Sequence, residues 1–545
     1  MDVSRRWLLA TGLGLVPMLA ACGAESPAPA PTAAKPAATM APAATAAPAP
    51  TAAPAVATGG NIVFALEDDP IDFDPMRSRA FIDRNVHYQM YDSLVRIDAT
   101  GKIIPWLATS WEVGADGKSV TFKLRSGIKF HDGTDFDADA AKWNLDRYRS
   151  TQGSQRTGEL APIESVEATD KTTLKLTLKA PFAPLLTTLV DRASMMVSRK
   201  VVEATGDDFT RKAFKAGTGP FILTEAVKDD HITLEKNPSW WGKDKDGSAL
   251  PYLDKITIRP IKNSDVRLTN LKTGDAHVAN NIAGKDVAAV KMESSLAYQE
   301  KPAYNFGSMI PNRKDGFVFS EKRYVKAVSM ALDRKELLDK WAFGVGAVGY
   351  GTIAPSHFAH DPAFKPFEKA DAEGAKKLVA EVGKVPLAFE FLVSSGDPST
   401  LQLAQLIQAQ LKKAEIDAQI VQLEFAQILQ QQAERSFKGI TLVGWSGRVD
   451  PDGNTYDFVY TGRPLNDSSY SNKEVDRLLD ETRQVTDEAK RKAAYRAAEQ
   501  IFVVDDPARI WYRFGVAMLL TSKKLTGLEA YPDQMIRFQY GKLAK

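Results

Sequence analysis

Two spacings of apolar residues divide the chain into predicted strands and helices. Between residues 119 and 125, Val120, Phe122 and Leu124 alternate with polar residues, which predicts a strand with one buried face. Alternation or a short apolar run predicts further strands over 61–66, 173–179, 255–261, 387–393 and 417–423. Apolar residues three and four positions apart predict helices over 137–148, 321–341, 370–382, 399–415, 425–434, 473–485 and 487–502.

The order of these elements differs between the two halves of the chain. Asp116-Gly117, a tight-turn sequence, precedes the strand at 119–125, so the region from 119 to 179 should be rich in β-hairpins. After residue 370 helices and strands alternate, which is typical of an α/β domain. The chain after residue 60 is longer than a single hydrophobic core usually serves, so we expect two or three domains.

The first residues carry a pattern that differs from the rest. Two arginines precede an apolar run over 7–21, and Cys22 follows it. A basic start, a short apolar run and small residues before a cleavage site predict an export signal, because a membrane-spanning helix needs ~20 apolar residues. The sequence Leu-Ala-Ala-Cys that ends at Cys22 resembles a bacterial lipobox, and the paired arginines resemble, more weakly, a twin-arginine signal. We therefore predict a lipoprotein signal peptide over 1–22, with Cys22 lipidated.

A segment over 23–59 follows that consists almost entirely of Ala, Pro and Thr. It has too little apolar surface to offset the entropy of folding, and its prolines keep it extended. We expect a disordered tether that holds a folded body away from a membrane. The protein would then be exported and lipid-anchored, either to the outer face of the cell membrane or in the periplasm.

Composition and charge exclude several classes of function. The formal net charge of +2 argues against nucleic acid as a partner, and 44% hydrophobic with 25% charged residues is typical of a soluble globular protein. Cys22 is the only cysteine of the 545 residues. An intramolecular disulfide, a cysteine-ligated zinc site and a catalytic thiol in the body are therefore excluded.

The sequence patterns of common enzymes fail when they are tested against this chain. There is no His-Glu-x-x-His motif, the glycines of 114–119 are wrongly spaced for a phosphate loop, and 444–447 lacks the second spaced glycine of a nucleophile elbow. His357 and His360 are three positions apart. They either form part of a metal site or lie as polar residues on a proline-flanked loop, and we favour the loop. We expect no enzyme activity, no metal and no cofactor.

Five phrases stand in a fixed order along the chain and cover most of residues 60 to 515. They are YDSLV (91–95) with PWLATSW (105–111), FKLR (122–125) with GIKFHDG (127–133), GTGPF (217–221) with KNP and WW (236–241), ALDR (331–334), and GWSGRVDPD (444–452). Together they resemble the family 5 extracellular solute-binding proteins, which serve ABC importers of peptides, nickel and related solutes.

The resemblance implies a two-lobed α/β fold of the periplasmic-binding-protein type (type II, cluster C), with an inserted hairpin-rich subdomain. By analogy, lobe I consists of 60–105, 219–300 and 515–545, the inserted subdomain is 106–218, and lobe II is 301–514. The ligand would be enclosed between the lobes. Two patterns that do not depend on the resemblance agree with this division. The alternation of helices and strands after residue 370 fits lobe II, and the predicted hairpins between 119 and 179 fit the inserted subdomain.

The fifth phrase supplies the candidate ligand-binding residues Trp445, Ser446, Arg448 and Asp450. Peptide-binding relatives tend to carry an acidic residue three positions after the tryptophan, where it holds the peptide's amino terminus, whereas this chain has Arg448. An arginine suits a carboxylate or another planar anion, and Asp450 could still hold a cationic group. Alternatively, Arg448 pairs with Asp450 or Asp452 and stiffens the loop. No histidine follows His360, which disfavours metal import.

We therefore expect a monomeric, lipid-anchored substrate-binding protein of an ABC importer. It would capture a short peptide or peptide-like small molecule, with a sugar or an opine-like acid left open, and would deliver it to permease subunits. Two alternatives remain. One is an exported hydrolase that uses the carboxylates Asp450 and Asp452, and the other is an exported adhesin or chaperone with a large exposed apolar patch.

Overall fold

The computed structural model describes residues 59–383 and 385–544, so the predicted export signal, Cys22 and all of the tether except Gly59 lie outside the described residues. The strands are β1 (Asn61–Leu66), β2 (Val95–Ile97), β3 (Ile103–Pro105), β4 (Ala108–Val113), β5 (Ser119–Leu124), β6 (Ile163–Asp170), β7 (Thr173–Leu178), β8 (Phe221–Val227), β9 (His231–Lys236), β10 (Lys255–Pro260), β11 (Val278–Ala279), β12 (Leu296–Pro311), β13 (Ala347–Val348), β14 (Leu387–Ser394), β15 (Ile416–Leu423), β16 (Ile440–Trp445), β17 (Ile510–Ser522), β18 (Leu525–Thr526) and β19 (Lys542–Leu543).

The helices are α1 (Phe81–Met90), α2 (Ala138–Ser150), α3 (Thr157–Leu160), α4 (Leu185–Thr188), α5 (Arg199–Thr205), α6 (Ser264–Thr273), α7 (Gly284–Met292), α8 (Lys322–Met330), α9 (Arg334–Lys340), α10 (Ala372–Val382), α11 (Pro398–Lys412), α12 (Phe425–Glu434), α13 (Asp452–Val459), α14 (Lys473–Gln484) and α15 (Glu488–Glu499). Within residues 59–383 and 385–544, none of the helices combines the length and the apolar character needed to span a bilayer.

One sheet runs through both lobes. Among the described residues it contains eleven strands in the order β15-β14-β16-β12-β17-β11-β1-β10-β9-β8, with β13 paired beside β17. Strands β12 and β17 are long and antiparallel, and together they connect the lobe I strands to the lobe II strands. The boundaries placed by analogy at 300/301 and 514/515 both fall inside these two strands.

A separate four-stranded sheet, β4-β5-β7-β6, lies in the predicted inserted subdomain and packs with α2. The alternation in β5 is confirmed, since Val120, Phe122 and Leu124 are buried. The predicted turn before β5 is confirmed as well, because the Gly114 amide donates to the Ser119 carbonyl (2.8 Å) and Gly117 has a φ of +68°, which favours glycine. The hairpins therefore form where the sequence pattern placed them.

The predicted helix over 321–341 is wrong in one respect, because the chain forms two helices there. Helix α8 ends at Met330 and α9 begins at Arg334. Asp333 has an extended backbone, and its carboxylate accepts a hydrogen bond from the Glu336 amide (2.8 Å), so it caps α9. The apolar spacing continues across the break and hides it, whereas the capping residue marks it.

We expect Asp333→Ala to lower the free energy of unfolding by about 1 kcal/mol, because the amide of Glu336 loses its acceptor. Asp339→Ala, in the last turn of the same helix, removes only an exposed ion pair with Lys335 and should change stability by less than about 0.5 kcal/mol. Urea denaturation followed by circular dichroism measures both values. Equal losses for the two variants would contradict the capping role.

Candidate functional site

A cavity of about 400 Å³ lies between the two lobes. In lobe I it borders residues that follow β1, β10 and β11, and these strands are parallel. In lobe II it borders residues that follow β14, β15 and β16, which are also parallel. Open α/β sheets bind ligands outside the carboxyl ends of their strands, and here two such edges face one cavity. Its volume suits a small organic ligand.

The crossover strands form a further wall. Their pairing is irregular between Pro302 and Phe306, so that residues 303–305 of β12 stand opposite Gly515 of β17. Such bulges redirect side chains, and Asn305 borders the cavity, where its amide donates to the side-chain oxygen of Gln534 (3.0 Å). A Cβ on Gly515 would lie 2.6 Å from the Asn305 side chain, so only glycine fits there without a shift.

Arg513 of β17 brings a cation to this wall. Its Nε donates to the Val345 carbonyl (3.2 Å), and its guanidinium carbon lies 5.0 Å from the centre of the Trp341 ring. Burial lowers its pKa from the usual 12.5. Among the described residues, no carboxylate forms an ion pair with Arg513, so its charge has no counter-charge from the protein there.

Three carboxylates border the cavity where β1 and β14 end: Glu67, Asp68 and Asp397. Asp397 accepts hydrogen bonds from the Ser264 hydroxyl (2.8 Å) and the Ser264 amide (3.3 Å), which joins lobe II to lobe I. Asp68 lies 3.7 Å from the ammonium group of Lys262. The acidic side chains that border this side of the cavity therefore outnumber the basic ones, Lys262 and Arg267.

The acidity of Glu67 is perturbed by its surroundings. Burial raises its pKa from 4.5 to about 7, the neighbouring Asp68 and Asp397 add to the rise, and Arg267 opposes it. Its side chain also accepts a hydrogen bond from the Asn281 amide group. A cation placed here would favour the ionised carboxylate and would offset the repulsion among the three acids.

Arg267 of α6 holds the lobe I edge of the cavity in place. It is buried and donates to the carbonyls of Ile261 (2.7 Å), Lys262 (2.7 Å) and Asn280 (3.0 Å). These carbonyls follow β10 and β11, so one guanidinium group fixes both segments. No pattern in the sequence singles out Arg267, because its partners are distant backbone groups that no residue spacing reveals.

Of the four predicted ligand-binding residues, Trp445 and Ser446 border the cavity. The Trp445 indole donates to Asn454 (3.1 Å) and meets the Phe458 ring edge-on at 4.7 Å between ring centres. The Ser446 hydroxyl accepts a hydrogen bond from Arg84 of α1 (2.8 Å), and its carbonyl accepts one from Gln534 (2.9 Å). Contacts from lobe I therefore hold this loop of lobe II.

Arg448 and Asp450 lie behind that loop and do not border the 400 Å³ cavity. Asp450 forms a two-point ion pair with Arg491 of α15 (2.6 and 2.9 Å), and Asp452 forms one with Arg483 of α14 (2.7 and 2.9 Å). The alternative pairing of Arg448 with either acid is therefore wrong, because other arginines occupy both. The same pairings leave neither carboxylate free for the hydrolysis considered as an alternative.

Arg448 instead lies beside Asp191 of the predicted inserted subdomain, with 3.4 Å between Nε and Oδ2. Its Nη1 donates to the Gly447 carbonyl (2.8 Å), and its guanidinium lies 4.3 Å from the centre of the Trp445 ring. Burial lowers the pKa of Arg448 to about 10. The side chain thus supports the tryptophan from the side that faces away from the cavity.

The comparisons with known proteins agree with this architecture. Residues 102–467 match the bacterial extracellular solute-binding proteins, family 5 (middle region). The glutathione-binding protein GsiB of Shigella flexneri is 30% identical over 498 residues, which cover 88% of this chain and 94% of GsiB. Two solved structures share the fold. Helicobacter pylori DppA in complex with the peptide STSA has a TM-score of 0.81 at 24% identity, and the match covers 90% of this chain and 99% of the DppA chain.

The second structure is the Escherichia coli murein tripeptide binding protein MppA, with a TM-score of 0.83 at 20% identity over 90% of this chain and 99% of MppA. The family match covers more than half of the chain, and the two structural matches extend over nearly all of the described residues. This chain therefore belongs to the family 5 bacterial extracellular solute-binding proteins.

Proposed function

We propose that the protein captures a short peptide or peptide-like zwitterion between its lobes and delivers it to the permease of an ABC importer. The observation that carries the proposal is the interlobe cavity of about 400 Å³, which has acidic groups where β1 and β14 end and, on β17, an arginine that forms no ion pair with any described residue. Relatives named for glutathione, for a peptide and for a murein tripeptide support this ligand class.

The charges of the cavity match the two ends of a peptide. Arg513 can hold a carboxylate in a charge-assisted hydrogen bond, and the acids Glu67, Asp68 and Asp397 can hold an ammonium group. Trp341 and Trp445 supply flat apolar surfaces for side chains. A zwitterion would thus bring a counter-charge both to Arg513 and to the acidic side of the cavity, whereas a neutral sugar would bring neither.

The same geometry favours capture by closure of the lobes. Hydrogen bonds from Ser264 to Asp397 and from Arg84 to Ser446 cross from lobe I to lobe II at different points around the cavity. Strands β12 and β17 are the connections about which the lobes can move. A ligand that contacts both lobes would shift the population toward the closed form, in which the permease would recognise the protein.

We further propose that Trp445 and Ser446 contact the ligand and that Asp450 anchors their loop to α15 through Arg491. The proposal includes export, lipidation at Cys22, a monomeric body and no catalytic step. The sequence of residues 1–59 supports the anchor and the tether, and the binding proteins named above support a receptor rather than an enzyme.

Native mass spectrometry of the purified protein tests the ligand class directly. We expect an additional mass in the range of a dipeptide to tetrapeptide that is lost on denaturation, and stabilisation against heat when short peptides are added back. Organic acids and sugars are the comparison set in the same thermal-shift measurement. Stabilisation by sugars but by no peptide would contradict the proposal.

Arg513→Gln should weaken binding of a peptide with a free carboxyl terminus by about 2 kcal/mol, roughly thirtyfold, because a charge-assisted hydrogen bond is lost. The matched comparison is the same peptide with an amidated carboxyl terminus, which should bind the wild type and the variant with nearly equal affinity. Isothermal titration calorimetry measures all four affinities. An equal loss for both peptides would show that Arg513 acts on the fold and not on the carboxylate.

Peptide affinity should also rise with pH, because Glu67 has a pKa of about 7 and must lose its proton to pair with an ammonium group. We expect stronger binding at about pH 7.5 than at about pH 6, and a smaller pH effect in Glu67→Gln. An amino-acetylated peptide is the control and should show no such rise. A pH dependence that persists unchanged in Glu67→Gln would contradict this role.

A further inference from the structure

An ion-pair cluster lies where three parts of the molecule meet behind the Trp445 loop. We call Arg84, Asp191 and Arg448 the Asp191 cluster. Arg84 belongs to α1 of lobe I, Asp191 follows α4 in the predicted inserted subdomain, and Arg448 follows β16 in lobe II. Asp191 Oδ2 lies 2.9 Å from Arg84 Nη2 and 3.4 Å from Arg448 Nε. One carboxylate oxygen thus faces two guanidinium groups from different lobes.

The cluster is almost entirely removed from solvent. The side chains of Arg84, Asp191 and Arg448 are 1%, 4% and 10% exposed. Burial alone would raise the pKa of Asp191, but Arg84, Arg448 and Arg192 hold it below its usual range. A buried carboxylate in this position is stable only while its counter-charges are present, and removal of one partner leaves an uncompensated charge.

The cluster also contacts the cavity wall. Arg84 donates to the Ser446 hydroxyl (2.8 Å), and the guanidinium of Arg448 lies against the Trp445 ring. Both Ser446 and Trp445 border the cavity. When the lobes separate, Arg448 must move away from Asp191, and Ser446 must move away from Arg84, because the partners belong to different lobes.

We propose that the Asp191 cluster is a closure device: Asp191 binds Arg448 only in the closed form, and Arg448 positions Trp445 and Ser446 against the ligand without contacting it. The inference rests on the proposed capture function but concerns the closed state itself. It also explains why an acidic side chain does not stand at position 448, since it would face Asp191 at close range and repel it.

The test measures the distance between the subdomain and lobe II in the full chain. Cys22→Ser removes the only native cysteine, and Val113→Cys and Arg477→Cys place spin labels on exposed positions of β4 and α14. Electron–electron double resonance then gives the distance distribution without ligand and with trialanine. We expect Arg448→Ala to lower the closed fraction in both conditions and to weaken trialanine binding about tenfold.

Two comparisons separate closure from ligand contact and from folding. Arg147→Ala removes a buried ion pair with Asp74 (2.6 Å), which joins the subdomain to lobe I and does not involve lobe II. It should leave the distances and the affinity unchanged. The affinity ratio between free and amidated trialanine should be the same in Arg448→Ala as in the wild type, because Arg448 does not touch the peptide.

A double variant, with the charge reversed at position 448 and removed at position 191, provides a rescue test. Arg448→Glu should open the protein further than Arg448→Ala, because two carboxylates then face each other. Adding Asp191→Asn to Arg448→Glu should restore part of the closed fraction, since the repulsion is removed.

Unchanged distances in Arg448→Ala, an altered affinity ratio for the amidated peptide, or no rescue by Asp191→Asn would each overturn the proposal. If trialanine and related peptides do not bind, the proposed function fails, but the distances without ligand still decide whether the Asp191 cluster closes the molecule.

Discussion

The pairing of β12 with β17 is the constraint on which the rest of the structure depends. Both strands belong to both lobes, so their register fixes how the lobe I strands and the lobe II strands face each other. Because of this pairing, the carboxyl ends of two groups of parallel strands border the same cavity. The irregular pairing opposite Gly515 breaks the strand regularity at that wall and turns Asn305 toward the cavity. The candidate binding site is thus a consequence of sheet topology before any side chain is considered.

Buried charge is distributed differently inside the cavity and behind it. Behind the Trp445 loop three buried acids have arginine partners: Asp450 with Arg491, Asp452 with Arg483, and Asp191 with Arg84 and Arg448. In the cavity, burial raises the pKa of Glu67 and the neighbouring acids add to the rise, and Arg513 has no ion pair among the described residues. An uncompensated buried charge is unfavourable. A ligand with complementary charges would therefore supply the counter-charges that the protein lacks in the cavity.

Local pattern was sufficient for most elements and for part of the site. The strands at 61–66 and 387–393 were predicted within one residue, and they end just before Glu67 and shortly before Asp397. The position of these acids after predicted strands is a signal in the sequence from which they could have been predicted to border a binding site. Arg513 and Arg267 could not be found in this way, because their roles depend on contacts with Val345 and with backbone carbonyls far away in sequence.

The break between α8 and α9 was hidden for a related reason. Apolar spacing indicates which face of a helix is buried, whereas a capping side chain indicates where the helix begins or ends.

Arg448 shows why a motif position and a ligand contact are separate questions. The sequence departs from peptide-binding relatives at this position, and the simplest interpretation is a change of ligand charge at the same point in space. The structure places the side chain behind the tryptophan, next to a carboxylate from another part of the molecule. The charges at positions 448 and 191 therefore compensate each other. The acids Glu67, Asp68 and Asp397 border another part of the same cavity. In the peptide that we propose as ligand, the ammonium group would face these three carboxylates and not position 448.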